Sequence, residues 1–166
     1  VGFEAGNAMT SGTVNTLIGG FAGDALTIGN GNVAIGYAAL TTSVDGDYNT
    51  AVGYKALEDY EDGDGNGHNT AIGNSSQLNA STGEFNTSLG SLSMGVGVTT
   101  GDNNVALGYN AAAVLTSGAN NVMAGAYAGD ALNSGTNNVG IGYGALSSED
   151  TGGQNVAIGV NALNTL

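Results

Sequence analysis

A five-residue segment recurs nine times along this chain of 166 residues, and its spacing constrains the fold more than any other feature. The copy at 32–36 reads Asn-Val-Ala-Ile-Gly. The copies begin at Asn15, Asn32, Asn49, Asn69, Asn86, Asn104, Asn121, Asn138 and Asn155. Successive copies start 17 residues apart, except for one gap of 20 and one of 18, and a partial tenth copy opens the chain. A fixed short period indicates a solenoid in which each repeat forms one coil.

The chemistry of each repeat predicts a short strand followed by turns. With the Asn as position 1, position 2 is Thr or Val, position 4 is apolar, and position 5 is Gly in every copy. Residues two apart on a strand share a face, so positions 2 and 4 are predicted to face one way and the small residues at positions 3 and 5 the other. We expect the small-residue face to allow close approach, including by copies of the chain. We interpret the glycines at position 5 and three residues before the Asn as bends or left-handed backbone.

The period also decides between fold classes. Seventeen residues with two turn glycines cannot sustain a helical pattern, and a meander of identical hairpins would need a unit twice as long. The sequence therefore predicts an all-β parallel β-solenoid, a β-roll of about ten 17-residue coils, as a single domain over 1–166. If the coils stack in register, the nine position-1 asparagines form a structural ladder whose side-chain amides bond to one another along the stack.

Two further positions vary between repeats. A large apolar residue follows at position 9 in some repeats and at position 12 in others, which predicts two types of coil. Four tyrosines share position 6, namely Tyr37, Tyr54, Tyr109 and Tyr143. Two interpretations of them remain open at this point: packing at a corner of the coil, or a partly exposed aromatic stripe.

The main irregularity is the acidic segment 58–68, which holds the three-residue insertion. Asp62, Asp64 and Asn66, followed by Gly67, match the first half of a D-x-[DN]-x-[DN]-G calcium loop. The match ends at Gly73, where a bidentate Glu is expected. The segment is therefore interpreted as a solvated loop bulging from one face of the solenoid. A weak Ca²⁺ site at Asp62, Asp64 and Asn66 is the alternative, and no other cofactor is expected.

Composition excludes several classes of function. The chain has 14 Asp and Glu against one Lys or Arg, for a net charge of −13. Nucleic acid and anionic membranes are therefore not expected as partners, since both require basic side chains. No apolar run approaches the roughly 20 residues that span a bilayer, so we expect no membrane insertion. His68 is the only His and lies in the acidic segment, and Cys is absent, so we expect no enzyme activity.

The repeat pattern resembles that of a known family of surface proteins. The pattern Asn-[Thr/Val]-[Ala/Gly]-[Ile/Val]-Gly-Tyr-x-Ala-Leu, present at 32–40, 49–57 and 138–146, is similar to the head repeats of YadA-like trimeric autotransporter adhesins. It looks closer still to 17-residue repeats in bacterial surface proteins and phage tail fibres. The resemblance covers essentially the whole chain. It implies a left-handed parallel β-roll, three chains per head, and a role in adhesion or fibre structure.

The predicted function is therefore a structural or adhesive extracellular fibre segment, at a cell surface or on a virion. Its main expected partner is itself, as a trimer or an end-to-end filament, with a host-surface or glycan ligand as a further expectation. The alternatives are a phage tail-fibre segment and an ice- or carbohydrate-binding solenoid that uses a flat repetitive face. A glycan-degrading enzyme would need an acidic pair at matching positions of neighbouring coils, and the nearest candidates, Asp24 and Asp45, do not share a position.

Overall fold

The structure, a computed structural model, describes residues 1–61, 66–148 and 151–164. Within these residues the chain forms nine three-residue strands and no helix. The strands are β1 (Thr16–Ile18), β2 (Val33–Ile35), β3 (Thr50–Val52), β4 (Thr70–Ile72), β5 (Thr87–Leu89), β6 (Val105–Leu107), β7 (Val122–Ala124), β8 (Val139–Ile141) and β9 (Val156–Ile158). Each strand covers positions 2 to 4 of one repeat.

All nine strands belong to one parallel sheet in the order β1 to β9. Their register places each position of the repeat beside the same position of the next, as Thr16 beside Val33 and Ile18 beside Ile35. The first residues of the chain add part of a further coil, because the Gly19 N–H donates to the Val1 carbonyl at 2.8 Å. The predicted all-β parallel β-solenoid is thus confirmed.

The coils are hydrogen-bonded to each other around their circumference and not only within the sheet. The N–H of position 2 donates forward, as Val33 does to the Asn49 carbonyl at 2.8 Å, and the N–H of position 5 donates backward, as Gly36 does to Ile18 at 2.8 Å. The turns continue this pattern, because the Leu40 N–H donates to the Ala56 carbonyl in the next coil. Each coil therefore depends on both neighbours, which makes the stack cooperative.

The strand side chains face the opposite way from the prediction. Position 3 points into the solenoid, where Ala34, Ala51 and Ala71 are fully buried, whereas positions 2 and 4 point outward. The expectation that the small residue of position 3 would form a free face for close approach is therefore wrong. A 17-residue coil encloses only a narrow interior, and large residues from the turns already fill it. The strand can add only small side chains at native packing density.

The two predicted types of coil have complementary interiors. Where position 9 is Leu, as in Leu40, position 3 of the same coil is small. Where position 9 is glycine, as in Gly129, position 3 is large: a Cβ on Gly129 would lie 2.6 Å from the sulfur of Met123. Leu132 at position 12 is also fully buried in that coil. These two coils thus fill their interiors with different sets of side chains.

Left-handed backbone occurs at one of the two places predicted and at others that were not predicted. Position 5 is glycine with φ between 127° and 144°, as expected, but non-glycine residues also adopt positive φ at positions 7, 9 and 17, such as Tyr48 at 57°. The glycines three residues before the Asn, such as Gly29, have φ outside the left-handed region, so that part of the interpretation is wrong. Space is the reason for glycine there, because a Cβ on Gly29 would lie 2.4 Å from the Gly46 carbonyl oxygen in the next coil.

Two neighbouring coils near the middle, those beginning at Asn69 and Asn86, have a polar interior where they meet. Ser76, Gln77 and Ser88 are fully buried at positions where other coils carry Ala, Leu or Gly. Gln77 Nε2 donates to Ser88 Oγ at 2.9 Å and to the Thr70 carbonyl at 3.2 Å, whereas Gln77 Oε1 is buried without a hydrogen bond. This polar layer separates two apolar clusters, one ending at Ala80 and one beginning at Met94 in sequence.

Replacing Gln77 with Leu should raise the free energy of unfolding by about 1–2 kcal/mol, since the buried, unpaired Oε1 is removed. Leu already occupies this position, with the same positive φ, at Leu57 and Leu146. Urea unfolding measures the change. The reverse change, Leu57→Gln, is the control and should destabilise the chain by about 1–3 kcal/mol. A loss of stability in Gln77→Leu would contradict the cost assigned to the unpaired oxygen.

Candidate interaction surface

The most extended exposed feature is the outer side of the sheet, here named the sheet face, formed by positions 2 and 4 of the nine repeats. Position 2 supplies Thr or Val, and position 4 supplies Ile, Val, Leu or Ala. Six of the nine position-4 side chains on the strands are exposed, with Ile18 at 44%, Leu89 at 53% and Ile158 at 68%. In-register pairing stacks these residues into two columns that run the length of the sheet. Nine strands at about 4.8 Å give a strip roughly 43 Å long.

The sheet face carries no charge although the chain is strongly acidic. In the sequence, all 14 acidic residues and Lys55 fall at positions 7 to 17 of the repeats, and none falls at positions 1 to 6. The carboxylates in the described part of the chain therefore lie on the parts of the coil away from the strands. Some are partly buried there: burial raises the pKa of Asp130, and burial, followed by the charge of Asp45, raises the pKa of Glu61.

A second exposed feature follows the strands along one edge and is named the aromatic stripe. Its members are Phe3, Phe21, Tyr37, Tyr54, Tyr109, Tyr127 and Tyr143. They form two blocks, four rings and three rings long, with neighbouring centroids 5.3 to 5.7 Å apart. The position-6 tyrosines are each 46–54% exposed, so of the two interpretations left open above, the exposed stripe is observed.

Sequence reasoning missed three members of the stripe: Phe3, at position 6 of the partial first repeat, and two residues at position 7. Phe21 and Tyr127 lie at position 7, one residue beyond the tyrosine position, and their rings continue the column because that position has a positive φ. Burial, and then the neighbouring Tyr109, raise the pKa of the Tyr127 hydroxyl. The signal available in the sequence was the recurrence of an aromatic residue at position 6 or 7 in seven repeats.

A shorter aromatic column borders the other edge of the sheet, at the residue immediately before each Asn. Here His68 is stacked between Tyr48 and Phe85, with ring centroids 5.0 and 5.1 Å apart and interplanar angles of 21° and 10°. In the following coils the same position carries Asn or Gln. This position has positive φ throughout, which Asn tolerates better than aromatic residues do.

The position-1 asparagines form a ladder inside the coil wall, but its bonds run mainly to the backbone. In Asn104, which is almost fully buried, Oδ1 accepts from the Asn121 backbone N–H at 3.0 Å and Nδ2 donates to the Gly118 carbonyl at 2.9 Å. The same pair of bonds recurs along the stack, and direct amide-to-amide bonds occur at only some steps, such as Asn121 Nδ2 to Asn104 Oδ1 at 3.0 Å. The ladder therefore satisfies the backbone groups at the strand entrance.

The ladder changes at the coil that holds the acidic insertion. Asn49 Oδ1 accepts from the Asn69 N–H at 3.0 Å, but Asn49 Nδ2 is buried without a hydrogen bond. In the seven other repeats up to the one that begins at Asn138, the amide donates to a glycine carbonyl, and the chain has Asn66 instead of that glycine in this coil. Sequence reasoning also missed a second, shorter ladder two residues before the repeat Asn, where Asn30 Oδ1 accepts from the Thr13 N–H at 2.9 Å and Asp102 Oδ1 accepts from the Glu84 N–H at 2.9 Å.

The residues of the suggested calcium site are only partly described. Asp62 and Asp64 lie outside the described residues. Asn66 is exposed, and its carbonyl accepts from the hydroxyl of the buried Tyr60 at 3.0 Å. Over 1–61, 66–148 and 151–164, no group of three His, Cys, Asp or Glu side chains is placed to hold a metal ion. In the same part of the chain, no helix is long and apolar enough to cross a bilayer.

The chain was also compared with known proteins. Protein-family models, curated proteins and solved structures gave no match.

Proposed function

We propose that this chain is a structural or adhesive segment of an extracellular fibre, on a cell surface or a virion, and that its solenoids associate side by side through the sheet face. The observation that carries this proposal is the long, apolar and uncharged outer side of the nine-stranded sheet. Monomeric soluble proteins rarely leave a contiguous apolar strip of this length in water. The resemblance of the repeats to trimeric adhesin heads favours three copies per assembly.

The charge distribution favours a second copy of the chain as the occupant of this face. Each copy carries a net charge of −13, so two copies can approach closely only on surfaces away from their carboxylates. The sheet face meets this condition, since every acidic residue lies at positions 7 to 17. Two copies also present columns with the same axial repeat, so their position-4 side chains can pack between one another along the whole contact.

Charge placed on the sheet face should separate the copies. Leu89 lies in the central strand β5 and Val96 lies in a turn of the same repeat, and both side chains are 53% exposed. We expect the unmodified chain and Val96→Lys to elute as oligomers in size-exclusion chromatography with light scattering. Leu89→Lys should shift towards the 16.1 kDa monomer, because its ammonium group would have to be desolvated in the interface.

The pair is matched because both variants add one positive charge at equal exposure. Far-UV circular dichroism checks that each variant keeps its fold. Equal masses for Leu89→Lys and Val96→Lys would show that the sheet face is not the contact. A monomeric unmodified chain would overturn self-association itself.

A further inference from the structure

The aromatic stripe is a separate surface from the sheet face, and the position-5 glycines lie between the two. It holds seven of the ten Phe and Tyr residues of the chain, at only two of the 17 positions of the repeat. Rings that only stabilised the edge of the coil would be expected to bury most of their surface, yet Tyr37 and Tyr143 remain 50% and 54% exposed. We propose that the aromatic stripe binds an uncharged, extended polysaccharide that lies parallel to the coil axis.

The spacing of the rings suits a polymer with a short, regular repeat. Each ring is one coil further along the axis, and the four rings from Phe3 to Tyr54 are separated by 5.4, 5.6 and 5.6 Å. A chain of β-1,4-linked pyranoses is straight and advances by a similar distance per sugar. Consecutive sugars can therefore meet consecutive rings without bending the ligand. Little conformational freedom is then lost on binding.

Four of the five ring contacts leave aromatic faces for sugars, whereas Tyr37 and Tyr54 are stacked at 12° and cover one face of each other. Phe21 meets Phe3 and Tyr37 at interplanar angles of 79° and 80°, and Tyr127 meets its two neighbours at 85° and 69°. In an edge-to-face contact one ring offers only its edge, so its faces are not covered by that neighbour. The C–H faces of a pyranose can pack on such rings. Tyrosine hydroxyls, present on five of the seven rings, can exchange hydrogen bonds with sugar hydroxyls.

The net negative charge of the chain favours an uncharged ligand. Lys55, the only Lys or Arg of the chain, lies 5.8 Å from the centre of the Tyr54 ring and pairs with Glu58 at 3.0 Å. The hydrogen bond and the charge of Glu58 raise the pKa of Lys55. An anionic polysaccharide would meet a net charge of −13 with this single cation engaged, whereas a neutral one meets no repulsion. Such a ligand would serve the adhesive role, and in that respect the proposal rests on the proposed function.

Binding can be tested with a matched pair of double variants. Tyr37→Ala/Tyr54→Ala removes two adjacent rings of the stripe, and Tyr48→Ala/Phe85→Ala removes two rings of similar exposure on the other edge of the sheet. Depletion of the protein from solution by insoluble cellulose and by insoluble chitin measures binding, and titration calorimetry with cellohexaose and chitohexaose gives the affinity. We expect the first variant to bind about tenfold more weakly, or worse, and the second to bind as the unmodified chain does.

Absence of binding by the unmodified chain to both polymers would overturn the proposal, and so would equal losses in the two double variants. Light scattering on the same samples keeps this result separate from self-association. If the chain is oligomeric but binds neither polymer, the polysaccharide proposal fails while the fibre proposal stands. If the chain is monomeric but binds cellulose or chitin through the stripe, the fibre proposal fails instead.

Discussion

Replacing Gly90 with Ala is expected to lower the free energy of unfolding by about 4 kcal/mol or more, or to prevent folding altogether. Gly90 has a φ of 142°, a conformation that L-residues with a side chain rarely adopt. A Cβ there would lie 2.4 Å from the Gly108 carbonyl oxygen in the next coil. Because both groups belong to the backbone, the contact can be relieved only by moving the coils apart and breaking their hydrogen bonds. Urea unfolding followed by circular dichroism measures the effect.

Two other glycines separate the contributions of conformation and contact. Gly159 shares the unusual backbone, with φ at 127°, but a Cβ there would meet no atom within 4 Å. Gly20 has φ outside the left-handed region, and its nearest Cβ contact would be an ordinary one of 3.5 Å to Tyr37. We expect little effect for Gly20→Ala, a loss of about 1–2 kcal/mol for Gly159→Ala, and the largest loss for Gly90→Ala. Equal effects at Gly20 and Gly90 would contradict the close stacking of the position-5 glycines.

Replacing Asn104 with Ala should lower the free energy of unfolding by about 3 kcal/mol or more. The change removes both hydrogen bonds that the Asn104 side chain makes to the backbone of the ladder. The Asn121 N–H loses the acceptor at 3.0 Å and the Gly118 carbonyl loses the donor at 2.9 Å. Each buried group left unpaired costs about 1–3 kcal/mol. The free energy of unfolding from urea titration measures the loss.

Asn49 provides the control for the ladder within the same chain. Its Oδ1 accepts a hydrogen bond from the Asn69 N–H, as in the other steps, but its Nδ2 makes no hydrogen bond. Asn49→Ala should therefore cost less than Asn104→Ala, by about 1–3 kcal/mol. An equal or greater loss for Asn49→Ala would mean that the bonds to the glycine carbonyls contribute little to stability.

The period and the invariant positions were enough to predict the fold, because both follow from stacking. Asn side chains at one fixed spacing can bond from coil to coil only if the coils are parallel and in register. The same arrangement is needed for glycines of neighbouring coils to lie against each other. The observed pairing of Val33 with Thr50 and of Ile35 with Val52 is what that argument requires.

The direction of the strand faces could not be predicted in the same way. Alternation shows that Val33 and Ile35 share a face and that Ala34 lies on the other, but it does not show which of them is inside. The interior is decided by the volume left by the turns, where Leu40 occupies the space beside Ala34. The assumption that apolar side chains point inward would therefore place Val33 and Ile35 on the wrong side of the strand. The sheet face can be identified only from the closed coil.

The members of the candidate surfaces were predictable only in part, for a related reason. The tyrosines of position 6 share a column that repeat numbering reveals, but Phe21 and Tyr127 join it from position 7 through a positive φ that the sequence does not announce. The short ladder at Asp102 is likewise hidden, because Asn or Asp occurs there in only some repeats.

Sedimentation velocity of the unmodified chain tests the central claim most directly, since side-by-side association through the sheet face requires an assembly at low micromolar concentration. The account predicts a species with a multiple of the 16.1 kDa chain mass, whose population falls on dilution and on the change Leu89→Lys. A single 16.1 kDa species at every concentration, with the nine-stranded fold intact by circular dichroism, would contradict it.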